Sequence, residues 1–197
     1  MAPRAFRNPR DSRAAESALL RELDRIRASL LEESERLARD RDYLRGRPAH
    51  LCCTRRYNQM RISPLEARAI AEAFGRDPRL RSRLGAVKKR MERELPRLRP
   101  GEGRQNFDCP LLEGTRCLVH DTAKPIGCAA WHPESFESEE HRFTSRGWKA
   151  FERRDELNDR LYGKSWKLMV IPLWLQRVLG RKGGGSASHE PGRKRGR

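Results

Sequence analysis

Residues Ile62–Gly75 read ISPLEARAIAEAFG, and the order of the first five is that of a helix start. Ser63 offers a hydroxyl to the free amides of a first turn, Pro64 suits the first helical position, and Glu66 completes a capping box three residues after Ser63. Ile70, Ala71 and Phe74 then share one face, and Gly75 marks the stop. A short, well-delimited helix is therefore expected here, and the search for neighbours to cover its apolar face runs outward in both directions.

Toward the C-terminus, Asp77 and Pro78 restart a helix whose Leu80, Leu84, Val87, Met91 and Leu95 form one apolar line up to Pro96, with Arg and Lys on the other face. Residues 97–106, with Pro100, Gly101 and Gly103, read as loop. The next stretch, Phe107–Cys128, is FDCPLLEGTRCLVHDTAKPIGC. Its PLL and CLVH flank the turn EGTR as a short hairpin, with Cys109 at its start and Cys117 on the return strand. Beyond it, Trp148, Phe151, Leu157 and Leu161 suggest a further helix. The most apolar run, SWKLMVIPLWLQRVLG, carries Lys167 and Pro172 and is too short for a bilayer, so it reads as a docking helix and no transmembrane segment is expected.

Toward the N-terminus, Leu19, Leu23, Ile26, Leu30, Leu37 and Leu44 recur at helical spacing, with Glu33 and Asp40 interrupting the seam. The expectation is a long amphipathic helix over 13–45 that packs on its own chain or pairs in a homodimer. Residues 1–12 read as a disordered basic N-terminus, 46–179 as a cysteine-cluster metal-binding domain with C-terminal helices, and 180–197, GRKGGGSASHEPGRKRGR, as a disordered basic tail. The fold class expected is mainly α, with a long N-terminal amphipathic helix and a small cysteine-bearing β-hairpin.

The chain has 197 residues, 36% of them hydrophobic, enough for one modest core. With 44 Lys and Arg against 27 Asp and Glu the net charge is +17. Such an excess favours weak contact with polyanions, nucleic acid included, through the basic tail, although that tail lacks the aromatic interleaving of a base-stacking surface. No Gly-rich phosphate loop, HExxH helix or complete nucleophile constellation stands out, so the sequence names no reaction. The N-terminus lacks the apolar core of a secretory signal, and five cysteines cannot all pair within one chain, so a reducing, cytoplasmic setting is expected.

In that setting clustered cysteines serve as metal ligands or reactive thiols more often than as disulfides. Cys52 and Cys53 are adjacent, and Cys109, Cys117 and Cys128 follow as C-x7-C-x10-C. Thiolates suit Zn(II), iron and iron–sulfur clusters. The candidate ligands are thus Cys52, Cys53, Cys109, Cys117 and Cys128, with His50, His120 and His132 as substitutes, and zinc or iron as the cofactor. Adjacent side chains diverge in regular structure, which predicts that only one of Cys52 and Cys53 joins the other three.

The order of these motifs, a cysteine pair, then ISPLEARAIAEAF, then CPLLEGTRCLVHDTAKPIGC, resembles the YkgJ family, the CxxCxxCC zinc- or iron-chelating domain proteins of bacteria. The likeness spans 47–131, and Cys109-Pro110-Leu111, Gly114, Cys117, Val119-His120 and Lys124-Pro125 through Cys128 fall in step with the family's second motif. It implies chelation of zinc or iron. The chain departs from the pattern at Gly46 and Ala49, where the family places two further cysteines, and at Lys124 and Ala129, where it places arginines.

Overall fold

The computed structural model describes residues 9–40, 50–131 and 145–180. The first helix, α1 (Pro9–Asp40), begins four residues before the expected start at Arg13. It buries Leu19, Leu20, Leu23 and Leu30 against the same chain, so this part of the leucine seam is already covered. Leu37 and Leu44 lie outside the described side chains. Arg27 shares the buried side, and its guanidinium is held 2.6 Å from Asp24.

The short strand β1 (Arg61–Ile62) leads into α2 (Pro64–Arg76). Both halves of the capping box are made: Ser63 Oγ accepts from the Glu66 amide at 3.2 Å, and Glu66 Oε2 accepts from the Ser63 amide at 2.7 Å. The helix does not stop at Gly75 but runs to Arg76. Gly75 keeps a negative φ, and the break falls at Asp77, which precedes Pro78 and takes the extended conformation that proline imposes on its predecessor. Asp77 then caps α3 (Pro78–Glu94), accepting from the Arg79 amide at 2.7 Å. Leu80, Val87 and Met91 of α3 are buried, as the spacing required.

After a 3-10 turn at Leu95–Arg97 the chain reaches the hairpin, β2 (Leu112–Glu113) and β3 (Arg116–Cys117), antiparallel with Leu112 opposite Cys117. Gly114, at φ 59, makes the reversal. The return strand is shorter than CLVH. Val119 is buried and starts a turn of helix, α4 (His120–Ala123), whose last amide bonds to the Val119 carbonyl at 3.0 Å, so His120 sits on a helix and not on a strand. Next come α5 (Ile126–Ala130), α6 (Ser145–Tyr162), β4 (Met169–Val170) and α7 (Ile171–Leu179).

The apolar run near the C-terminus divides at Val170. Met169 and Val170 pair antiparallel with Ile62 and Arg61, and Pro172 falls in the first turn of α7, where its missing amide costs nothing. The result is a core-docking helix: α7 packs on α2 and α3, while α1 covers α5 and α6. Phe107, Ile62, Leu65, Ile70, Leu111, Ile126, Leu157, Ile171 and Leu175 fill the interior between them. Trp148 is not part of it. It stands 57% exposed, edge-on to Phe151. Among the described residues no helix is long and apolar enough to cross a membrane.

Candidate metal centre

Cys52 and Cys53 lie on a single 3-10 turn, Leu51–Cys53, which follows His50. This tight turn defeats the expectation that adjacent cysteines diverge: their sulfurs are 3.8 Å apart. A tetrahedral ion with Zn–S bonds of about 2.3 Å has sulfur–sulfur edges of about 3.8 Å, so the pair already spans one edge.

The segment after the turn runs beside the irregular segment that brings in Cys109, which precedes the hairpin's first strand at Leu112. The Cys109 amide donates to the Cys53 carbonyl at 2.8 Å, and the Phe107 amide to Asn58 at 3.1 Å. Side chains reinforce the join. Asp108 accepts from the Arg55 amide at 2.7 Å, and Asn106 donates to the Arg55 carbonyl at 2.9 Å. The Arg55 guanidinium lies 2.6 Å from buried Glu94 and 3.1 Å from Asp108. Asp108 is exposed, as its sequence position suggests, and it also joins Arg55 and Glu94 in a clamp that fixes Cys53 against Cys109.

Cys117 arrives from the hairpin, held by the Leu118 amide donating to Leu111 at 2.9 Å. Cys128 arrives on α5, and a distant residue aims it. The second carboxylate oxygen of Glu66, Oε1, accepts from the Ile126 amide at 2.8 Å, tying the start of α5 to the start of α2. Arg154 of α6, also buried, faces the same carboxylate at 3.8 Å. Gly127 leaves room for Met60, whose sulfur occupies the space a Cβ would need.

All five cysteines are free thiols. Cys109 acts on the Cys53 thiol, and Cys117 and Cys128 lie within electrostatic reach of Cys52, Cys128 also of Cys53 and of Cys117. The hydrogen bond with Cys53, followed by burial, pushes Cys52 up. Neighbouring Cys109, more than burial, does the same for Cys53, and burial raises Cys117 and Cys128. Lys124 is the nearby cation, acting on Cys52, Cys117 and Cys128. His120 is held below its ordinary value, chiefly by burial and then by Lys124. His132 lies outside the described residues, as do Gly46 and Ala49.

Among the described residues no three His, Cys, Asp or Glu side chains stand as a ready-made metal cage. The donor set is of the chemistry that suits a thiophilic ion: five cysteines, of which Cys52 and Cys53 already span one edge at tetrahedral spacing, in a partly buried setting with Lys124 nearby. Uptake would require the remaining thiols to turn inward and release their protons.

The raised thiols set the pH response of the metal-free protein. Up to the ordinary thiol value both states are protonated and stability is complete. As pH climbs above about 8.5 the unfolded chain gives up protons that the folded chain retains, and stability falls. The melting temperature of metal-free protein is therefore expected to drop more steeply above that point than that of a Cys117→Ser variant. Identical profiles between neutral pH and pH ~10 would show that these thiols are not shielded.

Comparison with protein-family models, with curated proteins and with solved structures finds no match to this chain.

Proposed function

We propose that the chain is a metal-chelating protein of the kind its YkgJ-like motif order implies, binding zinc or iron, an iron–sulfur cluster included, through Cys53, Cys109, Cys117 and Cys128, with Cys52 as alternate or additional ligand. The observation that carries this reading is that the Cys52–Cys53 turn lies beside the Cys109–Cys128 stretch, more than 50 residues away in sequence. Small apolar cysteines scattered through a core would not need to meet.

The chain's own part in binding is positional. The Arg55–Glu94–Asp108 clamp holds the vicinal pair against Cys109, and Glu66 holds the Cys128 helix. Lys124 offsets part of the negative charge that four thiolates would bring. A bound ion would staple the hairpin to the 3-10 turn and add its binding energy to folding. A reducing compartment suits five cysteines outside any disulfide.

Elemental analysis with an absorption spectrum, on full-length protein purified without oxygen and without a metal-stripping column, tests the reading. The expected result is about one metal site per chain. Zinc without visible colour marks a closed thiolate site, and iron with matching sulfide marks a cluster. Folded protein that neither carries nor takes up either metal would remove the proposal.

A further inference from the structure

The positive charge of the described residues is not spread evenly. Helix α1 carries seven basic against eight acidic residues, and α6 five against four. Between Pro78 and Arg104 there are ten basic and three acidic residues, an excess of seven. One of those three acids, Glu94, is buried against Arg55 and so does not screen the surface.

On α3 the basic residues line the side opposite Leu80, Val87 and Met91. Arg79, Lys89 and Arg93 are exposed, with the small residues Ser82 and Ala86 between them and exposed Glu92 beside Lys89, so an extended chain can lie close to the helix. From Arg79 to Arg93 the helix rises about 21 Å. The stripe continues through exposed Arg97, Arg99 and Arg104. That loop is held in shape: Gln105 accepts from the Arg99 amide at 2.6 Å and donates to the Arg99 carbonyl at 2.8 Å. Arg61 donates to the carbonyls of Glu102 and Gly103. Beside its far end, tied there by Asn106, lies the turn with exposed Tyr57, whose ring faces the Arg56 guanidinium at 5.2 Å.

We propose that this surface, the outer face of α3 continued by the 97–104 loop and the Arg56–Tyr57 turn, binds single-stranded nucleic acid. The cations would follow the phosphates, and Tyr57 with Arg56 would stack a base. An acidic membrane fits less well, because the stripe presents Ser and Ala where an interfacial helix presents large apolar anchors. This inference is independent of the metal reading.

The test is fluorescence anisotropy with the full chain and a labelled oligothymidylate of about 20 nucleotides across a salt series. Removing four charges together, Arg79→Gln, Lys89→Gln, Arg93→Gln and Arg97→Gln, is expected to weaken binding about tenfold or more and to flatten the salt dependence by about two to three units of slope. A control that removes four exposed cations of α1, Arg13→Gln, Arg21→Gln, Arg25→Gln and Arg36→Gln, is expected to stay within about threefold of the parent. Tyr57→Ala is expected to lose about fivefold with the slope unchanged. Parent-like binding by the α3 variant, equal losses in the control, or binding to phosphatidylserine vesicles that the oligonucleotide does not compete would each overturn the proposal.

Discussion

Replacing Glu66 by alanine is expected to lower stability by about 3–5 kcal/mol, because it breaks a buried charge pair from one side. The carboxylate accepts from the Ser63 and Ile126 amides at 2.7 and 2.8 Å and faces the Arg154 guanidinium at 3.8 Å. Alanine would leave two buried donors without an acceptor and weaken the counter-charge at Arg154, which Asp155 alone would then supply from 2.7 Å. For a chain of this size the loss corresponds to a melting shift on the order of 10 °C. The gentler Glu66→Gln keeps an acceptor oxygen for one amide and is expected to cost about 1–3 kcal/mol. The damage should also be local: α5 loses its anchor, so Cys128 should react with an alkylating reagent faster than Cys117 does, as read by mass spectrometry on the metal-free glutamine variant. A Glu66→Ala protein that melts within a degree or two of the parent would mean that the carboxylate is not holding the two helices together.

The two roles of Glu66 show which parts of the fold could be read along the chain. Its capping role was legible, because Ser63, Pro64 and Glu66 are neighbours and their bonds depend only on local backbone geometry. Its hold on Ile126 was not, because that amide is 60 residues away and an acidic residue in a first turn gives no sign of a second partner. The same division runs through the cysteine region. The helical faces of α1 and α3 followed from leucine spacing, and the hairpin turn from Gly114. The hairpin's extent did not follow, since Val119 and His120 suit a strand or a turn of helix equally, and the turn is closed by the Ala123 amide on the Val119 carbonyl, a bond that the residue types do not announce. The near contact of Cys52 and Cys53 depends on a 3-10 turn that nothing in LCC announces. Gly75 looked like a helix stop, yet the stronger constraint was Pro78, which acts through Asp77. Arg55, Glu94 and Asp108 carried no signal, for an ion-pair clamp joins residues without a shared pattern.

Serine at Cys109 or Cys128 is expected to abolish retention of metal, whereas serine at Cys52 is expected to leave part of it. Changing an outer partner of a ligand costs about 10–100-fold in metal affinity, so removing a ligand from a four-sulfur site should cost at least about 100-fold. Dialysis against a mild chelator should then take metal from the Cys109 and Cys128 variants and leave it in the parent. The asymmetry within the vicinal pair comes from geometry. Cys53 lends its carbonyl to the Cys109 amide at 2.8 Å, so it is fixed beside the segment that leads into the hairpin. Cys52 meets the group across 3.8 Å from Cys53, and the backbone bond to Cys109 is made by Cys53. Cys53→Ser should therefore resemble Cys109→Ser, and Cys52→Ser should lie between it and the parent. Folding serves as the internal control, since a thiol-to-hydroxyl change in the metal-free protein should cost about 1 kcal/mol and leave the helical signal intact. Equal metal retention by all five single variants would sink the chelating reading even if the parent protein carried metal, because that metal would have to be held elsewhere.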